Sequence, residues 1–226
     1  DTADMGGWIS LRPDVAKALG QIGLASMAAL PKLERLLRDE DWRLRNAAAF
    51  AHCCISGERT PGLDILLEEL EHGHEWSAQK VAEFLGQLKY KHLAEPALEG
   101  LKKALKHPEL LVRAEAAESI AAIAPAYWID LLRPLAKDPD GIVQDSVMNV
   151  FCEHATEHPE LLDIFVDCLA CATGNECKGM TGRRIAADAL GKMGVHAKSA
   201  IPLLQKCAET DDDQGVREYA KEALQK

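Results

Sequence analysis

The segment LRPDVAKALGQIG, residues 11–23, decides the fold because variants of it recur along the whole chain. Most copies carry small or apolar residues at the fifth, sixth and eighth positions, and five of the seven copies have Arg at the second. The copies start at residues 11, 44, 77, 112, 143, 182 and 216, which is a spacing of 31–39 residues. A repeat of this length is typical of a solenoid built from stacked helix pairs.

We interpret the motif as the second helix of each pair. Its small residues lie on one face of a 3.6-residue helix, where they let the neighbouring pair approach closely. The segments between copies, such as ALPKLERLLRD at residues 29–39, repeat Leu at three- and four-residue spacing and carry Pro near their start. The sequence therefore predicts an all-α, right-handed α-solenoid of about six to seven helix pairs over residues 11–226. Residues 1–10 are expected to form an irregular segment or a truncated first helix.

The composition argues against several classes of function. A net charge of −10 at pH 7 lacks the basic footprint of a nucleic-acid-binding protein and suits a protein partner with a basic surface. No apolar run reaches the roughly 20 residues that span a bilayer, so no membrane partner is expected. The seven Cys residues, an odd number placed mostly within helical patterns, favour reduced thiols and a cytoplasmic location.

Two stretches of the chain resemble HEAT repeats. One is LRPDVAKALGQIG followed by AALPKLERLLRDEDWRLRNAAAFA, and the other combines RRIAADALGKMG, SAIPLLQKC and VREYAKEAL. They are most similar to the short bacterial repeats also found in phycobilin lyases. The resemblance extends over residues 11–226 and implies the fold, but a fold does not determine a function.

Two motifs that could carry chemistry are interpreted as structural. The HEAT-like enzyme deoxyhypusine hydroxylase holds two irons with His-Glu dipeptides placed directly after the motif Arg. The one His-Glu here, His74-Glu75, instead precedes the third motif, in a predicted turn. The pattern HxxEH at residues 154–158 runs into Pro159, which disfavours the continuous helix that a zinc site of this type needs. The sequence therefore favours a non-catalytic protein with no catalytic residue, metal or cofactor.

Cys171 and Cys177 bracket the start of the longest insertion between repeats, CATGNECKGMTG. A disulfide between them is one interpretation, and two reduced thiols is the other. Cys168 and Cys171 form a CxxC, but no second CxxC or well-placed His completes the four ligands of a zinc site.

Three Trp residues recur in register with the repeat. Trp8, Trp42 and Trp76 are each 34 residues apart and precede a motif start by one to three residues. This places them on the same edge of consecutive helix pairs, which stack about 8–10 Å apart. Phe50 is expected to be exposed near them, because other copies carry polar residues at its motif position. These four residues predict an apolar ridge that binds a partner protein, unless the Trp side chains pack between the pairs.

The function predicted from these features is a non-catalytic scaffold for protein–protein interaction. Two alternatives remain. An accessory domain of a larger enzyme fits the absence of an initiating Met and the incomplete first unit. A chromophore-attachment protein would follow from the resemblance to phycobilin lyases.

Overall fold

The computed structural model describes residues 5–57, 61–88, 90–124, 127–171 and 181–226, with the backbone alone at residues 5–11 and 91. Helices make up the regular structure of these residues, and no strand occurs among them. Helix contacts divide the chain into two compact units, unit 1 (Asp1–Pro125) and unit 2 (Ala126–Lys226). The predicted all-α solenoid of helix pairs is confirmed within each unit, while its continuity over residues 11–226 stays a prediction.

Unit 1 contains four motif helices and the first helices of three pairs. Residues 5–10, predicted as irregular or as a truncated helix, are helical and continuous with the first motif helix. A 3₁₀ helix, Gly23–Ala29, leads into the first helix of the next pair. The helices are α1 (Met5–Ile22), α2 (Leu30–Leu36), α3 (Trp42–Ser56), α4 (Pro61–His72), α5 (Glu75–Gly86), α6 (Lys91–Ala104) and α7 (Leu110–Ile123).

Unit 2 contains three motif helices, α9, α11 and α13. Short 3₁₀ helices at Arg133–Lys137, Pro159–Leu161 and Gly194–Ala200 adjoin the first helices of its pairs. Its core holds Trp128, whose ring lies 5.7 Å from that of Phe151. The helices are α8 (Trp128–Leu132), α9 (Gly141–Glu153), α10 (Leu162–Ala170), α11 (Gly182–Met193), α12 (Ile201–Thr210) and α13 (Gln214–Ala223).

Small residues let consecutive motif helices pack closely, as the motif predicted. A Cβ atom on Gly20 of α1 would lie only 2.8 Å from the Cα of Ala51 on α3. In unit 2, a Cβ on Gly191 of α11 would lie 2.9 Å from the Cα of Ala223 on α13. Real Cβ atoms do not approach other atoms so closely, so these positions require glycine.

In four of the motif helices, the residue at the second motif position ties the helix to the turn that precedes it. Arg45, Arg113 and Gln144 each donate a side-chain hydrogen bond of 2.8 Å to the carbonyl oxygen six residues earlier. Arg217 makes the same contact with the carbonyl of Asp211. Carbonyl groups of the turn are thereby satisfied, and the entry angle of the helix is held.

Candidate functional site

An open groove of about 1060 Å³ runs across the motif helices of unit 1. All four motif helices contribute side chains, so the groove exists only because the pairs are stacked. We call it the unit 1 groove. It is lined by Asp14 and Lys17 from α1, Trp42 and Ala47 from α3, Trp76, Lys80 and Phe84 from α5, and Glu115 from α7.

The floor of the groove is aromatic. Phe84 lines it and stacks on Phe50, with ring centroids 4.7 Å apart and an interplanar angle of 13°. The expected exposure of Phe50 is wrong, because its side chain is only 1% exposed. Gly20 of α1 leaves space for the Phe50 ring, and the large Phe84 of α5 covers it from the other side. Phe50 therefore supports the groove from beneath rather than facing a partner.

Two of the three periodic Trp residues line this groove. Trp42 is half-buried, with its ring edge-on to His74 at 4.8 Å and the Arg43 guanidinium 4.9 Å from its centre. Trp76 is 63% exposed. Trp8 lies within α1, but its side chain falls outside the described residues. The structure thus brings Trp42 and Trp76 to one surface, as their spacing predicted.

A small ionic network crosses the groove at Glu83. Its carboxylate accepts hydrogen bonds from the Nζ atoms of Lys17, at 2.8 Å, and Lys80, at 2.5 Å. Both ammonium groups also lie within 6 Å of the Phe84 ring, where its negative face attracts cations. Burial opposes ionisation of Glu83, but the two lysines outweigh it and hold its pKa below the usual value.

Glu115 stands in a different electrostatic setting. Its half-buried carboxylate makes no ion pair with a Lys or Arg among the described residues, and its hydrogen-bond partner is Gln79. Burial, and then the negative charges of Glu118 and Glu83, raise the pKa of Glu115 above its usual value. It is therefore a half-buried carboxylate of the groove that no ion pair with a described residue stabilises.

Sequence reasoning did not single out these charged residues, although the motif contained a signal. Asp14, Lys80 and Glu115 share its fourth position, and Lys17 and Glu83 share its seventh. Since positions three residues apart lie on the same helix face, the two positions together define the surface that lines the groove.

The two His-containing motifs considered for metal chemistry, His74-Glu75 and residues 154–158, lie at turns between helices, and their His rings pack against Trp rings. His74 lies before α5, against Trp42, and His154 and His158 have rings 5.0 and 5.6 Å from that of Trp128 in unit 2. Within the part of the chain that the structure describes, no group of three or more His, Cys, Asp or Glu side chains could hold a metal ion. None of the described helices is long and apolar enough to cross a membrane.

Only one of the two cysteines of the possible disulfide, Cys171, lies within the described residues. Cys171 is half-buried directly after α10, and Cys177 lies outside the described residues. A bond between the two stays a prediction.

Stacked helix pairs are the architecture of α-solenoid repeat proteins, and this chain has that architecture within each unit. Residues 63–151 match the family model of HEAT repeats, and residues 182–210 match that of the PBS lyase HEAT-like repeat. The chain belongs to the HEAT-repeat family, as its resemblance implied. The lyase-type match covers one repeat, so it supports the fold of that repeat and not an activity.

Solved structures of engineered proteins share the fold. One is 21% identical with a TM-score of 0.55, and the match covers 87% of this chain and 95% of that one. A second is also 21% identical with a TM-score of 0.52, and the match covers 100% of this chain and 65% of that one. No curated protein matches this chain.

Proposed function

We propose that this protein is a non-catalytic scaffold that binds a partner protein in the unit 1 groove. The observation that carries the proposal is Trp76, which is 63% exposed on the same groove that Trp42 lines. An exposed Trp presents a large apolar surface to water, and Trp is among the residues most enriched at the energetic centres of protein interfaces.

The packing beneath the groove supports this role. The stacked rings of Phe50 and Phe84 and the close approach of the motif helices make the surface rigid before any partner arrives. A preorganised surface loses little conformational entropy on binding, so more of the contact energy appears as affinity.

The charge of the chain indicates the kind of partner and setting. A net charge of −10 favours a protein with a basic surface over nucleic acid. Cysteines placed within helical patterns favour a reducing, cytoplasmic setting. Both assignments form part of the proposal.

The proposal is tested by affinity capture with the full chain and two variants. Trp76→Ala removes the exposed indole, and Val195→Ala, at an exposed apolar residue of unit 2, is the matched control. We expect the unsubstituted chain and the Val195→Ala variant to retain the same partner protein. The Trp76→Ala variant should not retain this partner, although its own far-ultraviolet circular dichroism spectrum should be unchanged. Equal retention by a folded Trp76→Ala chain would refute the proposal.

A second candidate is an accessory module of a larger enzyme, and the first motif helix favours it. Val15 and Ile22 of α1 are 58% and 62% exposed. Ala186 and Met193, at the same motif positions of α11, are buried where α11 packs on α9. The face of α1 therefore has the apolar character of a surface that another helix covers.

Photo-cross-linking separates the two candidates. A photoreactive amino acid at position 15 and another at position 76 report on the two surfaces independently. Cross-links to an enzyme subunit from position 15 alone would favour the accessory module. Cross-links from position 76 alone would favour the scaffold and count against the module.

A further inference from the structure

We propose that the unit 1 groove selects a basic peptide segment, with a Lys or Arg side chain of the partner pairing with Glu115. This inference deepens the proposed scaffold function and rests on it. It identifies both the chemistry of the ligand and the residue that recognises it.

The charges that line the groove do not balance. Four carboxylates belong to the lining, from Asp14, Asp41, Glu83 and Glu115, against three cations, from Lys17, Arg43 and Lys80. The three cations are already paired, both lysines with Glu83 and Arg43 with Asp41 at 3.5 Å. Asp14 and Glu115 make no ion pair with a Lys or Arg among the described residues, so the groove keeps a surplus of negative charge.

Glu115 is the stronger anchor of the two because it is half-buried, whereas Asp14 is exposed. A partly buried charge interacts more strongly with a counterion than an exposed one does, since less water screens it. The raised pKa of Glu115 comes first from burial and then from the negative charges of Glu118 and Glu83. A cation placed at this carboxylate would stabilise its charged form against all three effects.

An acidic ligand fits the same groove poorly. It would meet the carboxylates of Asp14 and Glu115, which are unpaired among the described residues, and it would compete with Glu83 for the two lysines, which Glu83 already holds at 2.8 and 2.5 Å. Like-charge contacts of this kind suppress wrong partners at interfaces. The same argument excludes the phosphate backbone of a nucleic acid as the occupant.

The dimensions favour a peptide over a metabolite. The groove has a volume of about 1060 Å³, just above the range of about 300–1,000 Å³ typical of small-molecule sites, and it is open to solvent. Trp76 offers an apolar surface on which the methylene groups of a Lys or Arg side chain, or a neighbouring apolar side chain, can pack.

A random library of linear dodecapeptides, displayed on phage and selected on the full chain, is the probe for this inference. Selected peptides are then synthesised, labelled with a fluorophore and titrated by fluorescence anisotropy. We expect them to be enriched in Lys and Arg, to bind more weakly as salt is raised, and to lose affinity when the basic residue becomes Gln.

Two variants locate the recognition. Glu115→Gln has almost the same shape and removes the charge, so we expect it to fold and to bind the selected peptides at least tenfold more weakly. Glu209→Gln makes the same change in net charge at an exposed position of α12 and is expected to bind normally. Circular dichroism confirms that both variants are folded.

The outcomes separate this inference from the proposed function. Peptides that lose binding with Trp76→Ala but not with Glu115→Gln, or that show no enrichment in basic residues, would overturn the inference and leave the scaffold standing. If no peptide binds, the inference fails, and the capture experiment with Trp76→Ala decides the scaffold separately. If peptides bind to Trp76→Ala and to Glu115→Gln as well as to the unsubstituted chain, they do not use the groove, and the inference fails.

Discussion

Phe50 fills the space that Gly20 leaves between α1 and α3. A Cβ atom on Gly20 would lie 3.3 Å from an edge carbon of the Phe50 ring, and the other side of this ring stacks on Phe84. Gly20, Phe50 and Phe84, which belong to three consecutive motif helices, thus form a single packed layer. This layer supports the groove in which Trp76 is exposed, so the position of the proposed binding surface depends on it.

Replacing Phe50 with Ala should destabilise the protein strongly. Removing a buried aromatic side chain typically costs about 3–5 kcal/mol, because apolar contacts are lost and a cavity is left. Val195→Ala, at an exposed position, should change the free energy of unfolding by less than about 0.5 kcal/mol. Urea denaturation followed by circular dichroism measures both. A loss of less than about 1 kcal/mol for Phe50→Ala would show that the layer is not cohesive.

Gly86 shows how tightly a residue of one motif helix is constrained by the next. A Cβ atom at this position would lie 2.5 Å from the Oγ of Ser119 on α7, and that hydroxyl already donates a hydrogen bond to the carbonyl of Ala82 at 2.9 Å. Moving Ser119 away would break this bond inside the core. The glycine is therefore required by packing, although Ala is the better helix former.

Gly86→Ala should accordingly destabilise unit 1, by about 1–3 kcal/mol as overpacked cores usually do. The matched control is Gly182→Ala, at the first residue of α11, where a Cβ would meet its nearest neighbours at an ordinary 3.5 Å. There the substitution should be neutral or stabilise by up to about 1 kcal/mol through the lost freedom of the unfolded chain. Thermal unfolding measures the stability of both variants. An equal change in stability for Gly86→Ala and Gly182→Ala would contradict the argument that packing requires Gly86.

At the scale of helices, two kinds of side-chain contact secure the turns that precede several of the motif helices. Asp41, Asp140 and Asp213 cap motif helices by accepting hydrogen bonds from backbone N–H groups of the first turn. Glu109 occupies the same place before α7 but makes no capping bond with its side chain. The second motif position adds the contact to the turn carbonyl, and Gln144 shows that a neutral side chain can make it as well as Arg. The contact therefore requires a hydrogen-bond donor of suitable reach and does not require a charge.

Asp213 caps α13 and also pairs with Arg184. Its Oδ1 accepts from the backbone N–H of Val216 at 2.9 Å, and its Oδ2 accepts from Arg184 at 2.7 Å. The hydrogen bonds from Arg184, and then from Val216, lower the pKa of Asp213 from 3.8 to about 2. Because the pKa is lower in the folded state, the carboxylate stabilises the fold fully above pH 3.8, and this contribution fades as pH falls toward 2.

Asp213→Ala should therefore destabilise the protein by about 0.5–2 kcal/mol at pH 7, the range for losing a helix cap. The difference from the unsubstituted chain should stay constant down to about pH 4.5 and shrink by pH 3, where the unfolded-state carboxyl is protonated. Asp212→Ala, at the exposed neighbour, is the control. Urea titrations at the three pH values test this, and a difference that grows on acidification would contradict the sign.

At the scale of the whole chain, the first and last motif helices differ in what they expose. α1 exposes the large apolar residues Val15 and Ile22 beside polar Asp14, whereas the exposed residues of α13 are mostly charged, with Tyr219 among them. The apolar face of α1 is the kind of surface that a further helix would cover, as the accessory-module candidate requires.

Protection against hydrogen exchange should follow this arrangement within each unit. A motif helix packed on both sides opens only when its neighbours separate, while a helix packed on one side can fray alone. We expect slow exchange in α3 and α5 and faster exchange in α1, with α11 slower than α13. Exchange measured by mass spectrometry tests this order, and an α1 as protected as α3 would mean that its apolar face is covered in solution.

Much of this protein follows from its sequence alone. The repeated motif predicted the helix pairs and their stacking through small residues, because a 31–39-residue period with helical spacing of apolar residues is typical of a helical solenoid. The HEAT family followed from the resemblance of two stretches of the chain to HEAT repeats. The spacing of Trp42 and Trp76 likewise placed them on one surface, since residues at equivalent repeat positions occupy equivalent places in a stack.

Other features were decided only by the tertiary structure. Phe50 is buried because Gly20 and Phe84 belong to the helices on either side of it, 30 and 34 residues away in the sequence. Glu115 makes no ion pair among the described residues, whereas Lys17 and Lys80 both pair with Glu83. A repeat motif specifies which face a side chain takes, but its burial and its charge partners depend on side chains from neighbouring helices, and these meet only once the helices are stacked.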